Sequence, residues 1–214
     1  QIDWQKVKGL KETLGRNNVS CNYSFEHAPY TWEMIRNFKG GVAVFTNPTT
    51  PIKCGGAPHK IMYLACDYWR RKGILDKCDV HYLSGGTVIF GVKEYAETLK
   101  EVVARNHINV HYGVNANEIN GAEKKIYYEE KDASGNVQRK ELAFDLCHAV
   151  PPQSAPDFIK ASPLADASNP YGYVEINKNT MQHSRFPNVF ALGDCTNAPC
   201  SKTGAAIRRS EEHT

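Results

Sequence analysis

No stretch of this chain approaches the roughly 18 consecutive apolar residues that a membrane-spanning helix needs, so no transmembrane segment is expected. The start, Gln1-Ile2-Asp3-Trp4, has no initiator Met, no basic region leading into an apolar one and no transit-like pattern, and it reads as cut from something longer. Clustered positive charge is missing too. The 26 basic and 23 acidic residues are spread along the chain for a formal net charge of +3, which argues against a nucleic-acid partner. Cys-x-x-Cys and zinc-ligand spacings are absent, and the seven cysteines, at positions 21, 54, 66, 78, 147, 195 and 200, are odd in number. They suit neither a disulfide scaffold nor a metal site, and redox chemistry on one or two of them stays open. No internal repeat, low-complexity tract or Gly-x-Gly-x-x-Gly phosphate cradle occurs. What is present is a globular composition: 214 residues at 41% apolar content can bury the core of one large or two small domains.

The order of elements reads as α/β. Tyr30 to Phe38 reads as a short helix, Gly40-Gly41 as a turn, and Val42-Ala43-Val44-Phe45 as a strand. Ile61, Leu64, Ala65, Tyr68 and Trp69 recur at helical spacing up to a basic last turn and a glycine stop at Lys72-Gly73. A second strand is expected over Cys78 to Leu83, then a Gly85-Gly86 loop. A helix from Lys93 to Arg105 follows, with Tyr95, Leu99, Val102 and Val103 on one face, and then a strand over Ile108 to Tyr112. Strands alternating with crossover helices imply a parallel sheet. The period then changes: Lys125 to Glu130 and Val137 to Phe144, joined by Asp132-Ala133-Ser134-Gly135-Asn136, read as an antiparallel hairpin. Leu146 to Val150 is a short apolar strand that runs into Pro151-Pro152 and an irregular passage expected to cross between domains. Two more strands are expected, Tyr173 to Ile176 and Asn188 to Leu192, the second closed by Gly193-Asp194.

Two places in this scheme carry chemistry. The segment Thr46 to Lys60 puts Cys54 at a strand-to-helix turn shaped by two prolines and two glycines. A helix N-terminus and a nearby lysine, Lys53 or Lys60, both favour thiolate over thiol, which makes Cys54 the first candidate nucleophile; the plain alternative is one small packing cysteine among seven. At the second place, a strand ending in Gly193-Asp194 sets a carboxylate at the carboxyl edge of a sheet, where it can accept hydrogen bonds from ribose or ribityl hydroxyls. Ser201 to Ala206 then opens a helix whose N–H groups can face an electron-rich ring. Taken alone, Gly-Asp is also consistent with a plain turn.

Read together, the order and spacing resemble the second half of a two-dinucleotide-binding-domain flavoprotein, Rossmann-like. The sequence resembles the sulfide:quinone oxidoreductase family of the animal mitochondrial kind. It does so through Thr50-Pro51-Ile52-Lys53-Cys54-Gly55-Gly56-Ala57-Pro58-His59-Lys60-Ile61-Met62-Tyr63-Leu64, through Ile89-Phe90-Gly91-Val92-Lys93-Glu94-Tyr95-Ala96, and through Pro187-Asn188-Val189-Phe190-Ala191-Leu192-Gly193-Asp194-Cys195-Thr196-Asn197. The resemblance runs from about Gln1 to Ile207. It implies oxidation of hydrogen sulfide through a persulfide on Cys54, electron transfer to FAD and on to ubiquinone, and a small sulfane acceptor such as glutathione or sulfite. It also implies that Gly193, Asp194 and Lys202 hold the flavin. Pro152 is a weaker carry-over as a segment passing the isoalloxazine ring, for which a plain crossover serves equally. Lys60 is expected to attract the anion HS⁻, and His59 reads as a surface residue rather than a proton carrier. A soft sulfur donor that must touch a flavin face is better served by a rigid turn than by a mobile loop.

On this resemblance, residues 1–38 end a first FAD-domain segment, 39–148 form an NAD-like α/β domain with its hairpin, and 149–208 return to the FAD domain. A mitochondrial, inner-membrane-associated protein is implied, with the membrane contacts and a second redox cysteine in a later region. The family's Gly-x-Gly-x-x-Gly unit for the FAD pyrophosphate is not in this sequence, so the chain reads as a fragment, inactive alone. Cys195 and Cys200 read as bystanders, and Cys66 and Cys78 as packing or surface residues. Two other readings remain: an alternative NADH:quinone dehydrogenase, disfavoured by Cys54 where a pyrophosphate cradle belongs, and a catalytically silent fragment or pseudoenzyme. The last six residues, Arg209-Ser210-Glu211-Glu212-His213-Thr214, are the in-frame translation of the sequencing adapter AGATCGGAAGAGCACACG and are expected to be read-through.

Overall fold

The computed structural model describes residues 1–211. The segment 209–214 falls partly outside them: the backbone is described as far as Glu211, and residues 212–214 lie beyond the described residues. The chain divides into two compact units. The larger comprises Trp4–Thr50 and Gly56–Pro152; the smaller comprises Gln1–Asp3, Pro51–Gly55 and the chain from Gln153 onward.

In the larger unit, a one-turn helix α1 (Leu10–Thr13) leads into β1 (Val19–Ser20), α2 (Ala28–Asn37) and β2 (Gly41–Asn47). Then come α3 (Ala57–Arg71), β3 (Cys78–Ser84), α4 (Lys93–Arg105) and β4 (Asn109–Tyr112). The antiparallel strands β5 (Asn115–Asn120), β6 (Lys125–Lys131) and β7 (Val137–Ala143) follow, and β8 (Leu146–His148) returns. The five-stranded sheet is parallel throughout, in the order β1-β8-β2-β3-β4. β2 sits at its centre, with Val44 opposite His81 on one side and Cys147 on the other. Ala43, Val44 and Phe45 have no exposed surface. An unbroken apolar run is what a parallel strand needs when both faces of its sheet are covered.

Alternate residues feed two cores. Ala43, Phe45, Val80 and Tyr82 pack with Met62, Ala65 and Trp69 of α3. Val44 and Leu83 pack on the other face with Leu10, Ile119, Ile126 and Phe144. The buried stripe of α3 is His59, Met62, Ala65, Cys66 and Trp69, turned from the expected one: Leu64 is 57% exposed. Spacing alone left two overlapping stripes on this helix, and the sheet chose the one that seats Trp69, whose Nε1–H reaches the carbonyl of Ile35 at 3.0 Å. On α4, Ala96 is the buried anchor, while Tyr95, expected inside, is 63% exposed. α3 starts with Pro58 in its first turn and stops at Lys72 before Gly73, whose φ of 68° is the left-handed value that ends helices.

In the smaller unit, α5 (Asp157–Lys160) and α6 (Gly204–Glu211) flank irregular chain over a core of Ala155, Ile159, Tyr173, Val174 and Ile176. The strands expected at 173–176 and 188–192 are not formed. Val174 makes single bridges to Ala165 and Thr196, and Gln182 makes one to Phe190. Glu175 N–H to Leu164 O and His183 N–H to Val189 O close the bridges to Ala165 and Phe190, and no ladder extends past one residue. Among the described residues no helix is long and apolar enough to cross a membrane.

Candidate active site

Cys54 lies in the smaller unit, in the loop Pro51–Gly55, with a backbone φ of 51°. A left-handed conformation costs a side-chain-bearing residue roughly 1–2 kcal/mol relative to its ordinary basins. Such strain persists only where surrounding contacts impose it. Three of those contacts are visible. The Cys54 N–H donates to the carbonyl of Lys202 at 3.0 Å. The preceding N–H, of Lys53, donates to Oε1 of Gln153 at 2.9 Å. The Lys53 ammonium lies 3.2 Å from Oδ2 of Asp194. Lys53 therefore directs its charge to a carboxylate, and the position that caps α3 is Gly56, two residues beyond the cysteine.

Gly193, Asp194 and Cys195 form a single 3₁₀ turn rather than the end of a strand. Gly193 has φ 72°, a backbone value that favours glycine, and a Cβ there would press on the Ile207 side chain at 3.0 Å. The turn is fastened by Thr196, buried, whose N–H and Oγ1 both reach the Gly193 carbonyl. Cys195 donates its thiol to Leu192 O at 3.3 Å. The Lys202 ammonium donates to the carbonyl of Thr196 and stands 4.2 Å above the Tyr173 ring. Burial lowers the pKa of Lys202, an effect opposed by the nearby Cys200, Asp194 and Cys195.

An open cleft of about 480 Å³ runs beside these groups, lined in part by Pro51, Ile52, Gly55, Tyr171, Tyr173 and Lys202. The lining suits a polar ring, with two tyrosine rings and an ammonium, and the Asp194 carboxylate, outside that lining and 44% exposed beside Lys53, keeps lone pairs for hydroxyl donors. These residues fit the ring and ribityl half of a flavin.

The sequence-nominated residues divide between the units. Cys54, Gly193, Asp194 and Lys202 come together in the smaller one; Lys60 and Pro152 belong to the larger one. Lys60 is exposed on the first turn of α3. His59, expected at the surface, is buried against Tyr63, Phe90 and Tyr82, with ring centroids 5.4, 5.7 and 6.4 Å away. Burial, followed by the Lys60 charge, pushes its pKa down to about 4, so it is neutral. The apolar stripe of α3 faces the sheet and carries His59 with it. Cys21, Cys66, Cys78, Cys147, Cys195 and Cys200 form no disulfide, and no metal-binding group occurs among the described residues. Sequence reasoning missed Gln153. It is fully buried, its Oε1 is fixed as the oxygen because Lys53 N–H is a donor, and its Nε2 has no hydrogen-bond partner among the described residues. An orphaned buried donor costs about 1–3 kcal/mol. Its one sequence signal is position, directly after Pro151-Pro152.

A parallel α/β sheet, an antiparallel three-stranded sheet and a returning segment with a Gly-Asp turn beside a cysteine loop define a Rossmann-like α/β fold. The fold is shared with a chain of the Tetrahymena thermophila mitochondrial ATP synthase (TM-score 0.71, 19% identity, 95% of this chain and 50% of that one). It is shared equally with the sulfide:quinone oxidoreductase of Aquifex aeolicus (TM-score 0.69, 18% identity, 89% of this chain and 43% of that one). No family model matches the chain. By sequence it is 41% identical over 207 residues to the mitochondrial sulfide:quinone oxidoreductase of Mus musculus, covering 97% of this chain and 45% of that protein. It is 44% identical over 208 residues to that of Dictyostelium discoideum, covering 97% and 44%. Over the length it spans, the chain is similar to the mitochondrial sulfide:quinone oxidoreductases. That length is a little under half of the curated relatives it matches.

Proposed function

We propose that the protein containing this chain oxidises hydrogen sulfide, with Cys54 as sulfur carrier, FAD as cofactor and ubiquinone as electron acceptor, and that it works in mitochondria at the inner membrane. The observation that carries the reading is the strained backbone of Cys54, fastened to the same turn system that presents Asp194 and Lys202. In this reading residues 39–148 are the NAD-like α/β domain, 149–208 the returning FAD-domain segment, and 1–38 the end of the first FAD segment. Asp194 accepts hydrogen bonds from the ribityl chain, Gly193 lets the backbone turn beneath it, and Lys202 offers its ammonium to the ring. Pro152 enters the crossing toward that ring, and Lys60 draws HS⁻ from solution.

In the sulfur step, the Cys54 thiolate and HS⁻ become a Cys54 persulfide, releasing one proton and two electrons. FAD held by Gly193, Asp194 and Lys202 would supply the two-electron acceptor chemistry for that pair, with a quinone as the onward acceptor. The rigid loop holds the sulfur at a fixed height, and the persulfide sulfur leaves to a small acceptor such as glutathione or sulfite. Precise presentation matters because a misplacement of about 1 Å slows such steps by about 100-fold.

The test is the visible flavin spectrum of the full-length protein before and after sulfide, then after a short-chain quinone, with Cys54→Ser in parallel. Bleaching by sulfide and recovery with quinone, both lost in the serine variant, is the expected result. Bleaching by NADH alone would reassign the protein to the NADH:quinone dehydrogenases, and no bound flavin would mark a silent relative.

A further inference from the structure

We infer that Gln153 and Lys53 are positioning residues for Cys54, acting as a clamp on its left-handed backbone. The inference rests on Cys54 being the sulfur carrier. Three independent links meet at two consecutive residues. The Lys53 N–H is held by Gln153 Oε1 at 2.9 Å, the Cys54 N–H by Lys202 O at 3.0 Å, and the Lys53 side chain by Asp194 Oδ2 at 3.2 Å. A φ of 51° at a residue with a Cβ relaxes to an ordinary basin if its neighbours release it. Rotation about that bond swings the cysteine side chain, so what holds the backbone also holds the sulfur.

The Gln153 side chain makes this hydrogen bond and no other among the described residues. It is fully buried, it spends its carbonyl oxygen on the loop, and it leaves its amide nitrogen without a partner among the described residues. A residue chosen only to fill space at that point would be apolar, which would leave no orphaned donor. Asp194 thereby takes a second role. The carboxylate proposed to meet the ribityl chain also holds the cysteine loop through Lys53, so in this reading the sulfur and the cofactor share one anchor.

The test uses the full-length enzyme carrying Gln153→Met, Lys53→Met or the conservative Lys53→Arg. Alkylation of Cys54 by iodoacetamide is followed by peptide mass spectrometry across pH, beside flavin content and the rate of sulfide-dependent bleaching. Removing the Gln153 anchor should speed alkylation by about 5-fold at every pH, the opening that loss of one backbone hydrogen bond allows. It should slow sulfide-dependent bleaching by about 10- to 100-fold with flavin content unchanged. Lys53→Met should do the same in lesser degree, and Lys53→Arg should restore the parent behaviour. Alkylation indistinguishable from the parent in both Met variants overturns the clamp. So does a Lys53→Met profile displaced along the pH axis instead of raised throughout, because that signature belongs to a charge acting on the thiol. If Gln153→Met does not fold, the two Lys53 variants decide the matter. The functional reading is judged separately, by the flavin spectrum of the parent protein and of Cys54→Ser with sulfide.

Discussion

The Nζ of Lys53 lies 3.2 Å from Oδ2 of Asp194, joining the residue before the reactive-cysteine candidate to the Gly-Asp turn. Both side chains are partly exposed, at 27% and 44%, so the pair contributes at most about 1 kcal/mol to stability. Its consequence is geometric. It registers a loop that the chain reaches early against a turn that it reaches near residue 194, within one unit.

Asp194→Asn should weaken flavin retention in the full-length protein by about 10-fold, because a neutral amide is a poorer acceptor for hydroxyl donors and no longer pairs with Lys53. Flavin absorbance per chain after gel filtration reads this directly. A stoichiometry equal to the parent would remove Asp194 from the cofactor site.

Strain at Cys54 makes an unusual stability ranking. Cys54→Gly should melt higher than Cys54→Ala, by the equivalent of about 1 kcal/mol, because glycine adopts φ near 51° freely whereas alanine keeps the penalty. Thermal denaturation of the two variants compares them. Equal midpoints would mean the loop carries no strain.

Acid should weaken the larger unit through two buried histidines. His148 accepts the Asn22 N–H at Nε2 at 2.9 Å, and burial pushes its pKa down to about 4; His59 is pushed to about 4 as well, by burial and then Lys60. In the unfolded chain both titrate near 6.5. Their folded values are depressed, so both are neutral and costless above pH 6.5. As pH falls from 6.5 toward 4 the unfolded state binds protons first and stability is lost. Below about 4 the loss levels off. Each histidine accounts for up to about 1.4 kcal/mol per pH unit in that window. Urea unfolding at a series of pH values should show the slope, and His148→Gln, which keeps an acceptor for Asn22, should flatten part of it.

Trp69 is the largest fully buried side chain, and its indole N–H satisfies the Ile35 carbonyl at 3.0 Å. Trp69→Ala should cost about 3–5 kcal/mol from lost packing and a residual cavity. Trp69→Phe should cost less in volume but still about 1–3 kcal/mol for the stranded carbonyl. Denaturant midpoints at constant slope would establish both values, and a Trp69→Phe variant as stable as the parent would show that the hydrogen bond contributes nothing.

Much of the fold was legible because local pattern and tertiary need agree there. Val42 to Phe45 is an unbroken apolar run, as a central parallel strand must be, and β2, α3, β3, α4 and the β6–β7 hairpin all fall where period and turn chemistry put them. β5 was missed because Asn115 to Asn120 is polar and only Ile119 is buried; its strand form comes from its partner β6. The strands expected around Val174 and Phe190 failed for the complementary reason. Their composition is right, but single bridges and turns take their backbone groups, and a strand exists only where a neighbour continues the ladder.

For the site, prolines, glycines and their spacing restrict the backbone locally and made the cysteine loop legible, whereas Gly193-Asp194, expected to close a strand, forms a 3₁₀ turn. The sequence alone did not decide where the lysines and histidine beside Cys54 point. Lys53 turns to Asp194, His59 enters the core with the stripe of α3 that the sheet selected, and Gln153 becomes an anchor only because the returning chain brings its amide to the loop. Long side chains have several rotamers of nearly equal energy, and which one is kept depends on partners far away in sequence, so only the tertiary structure could choose.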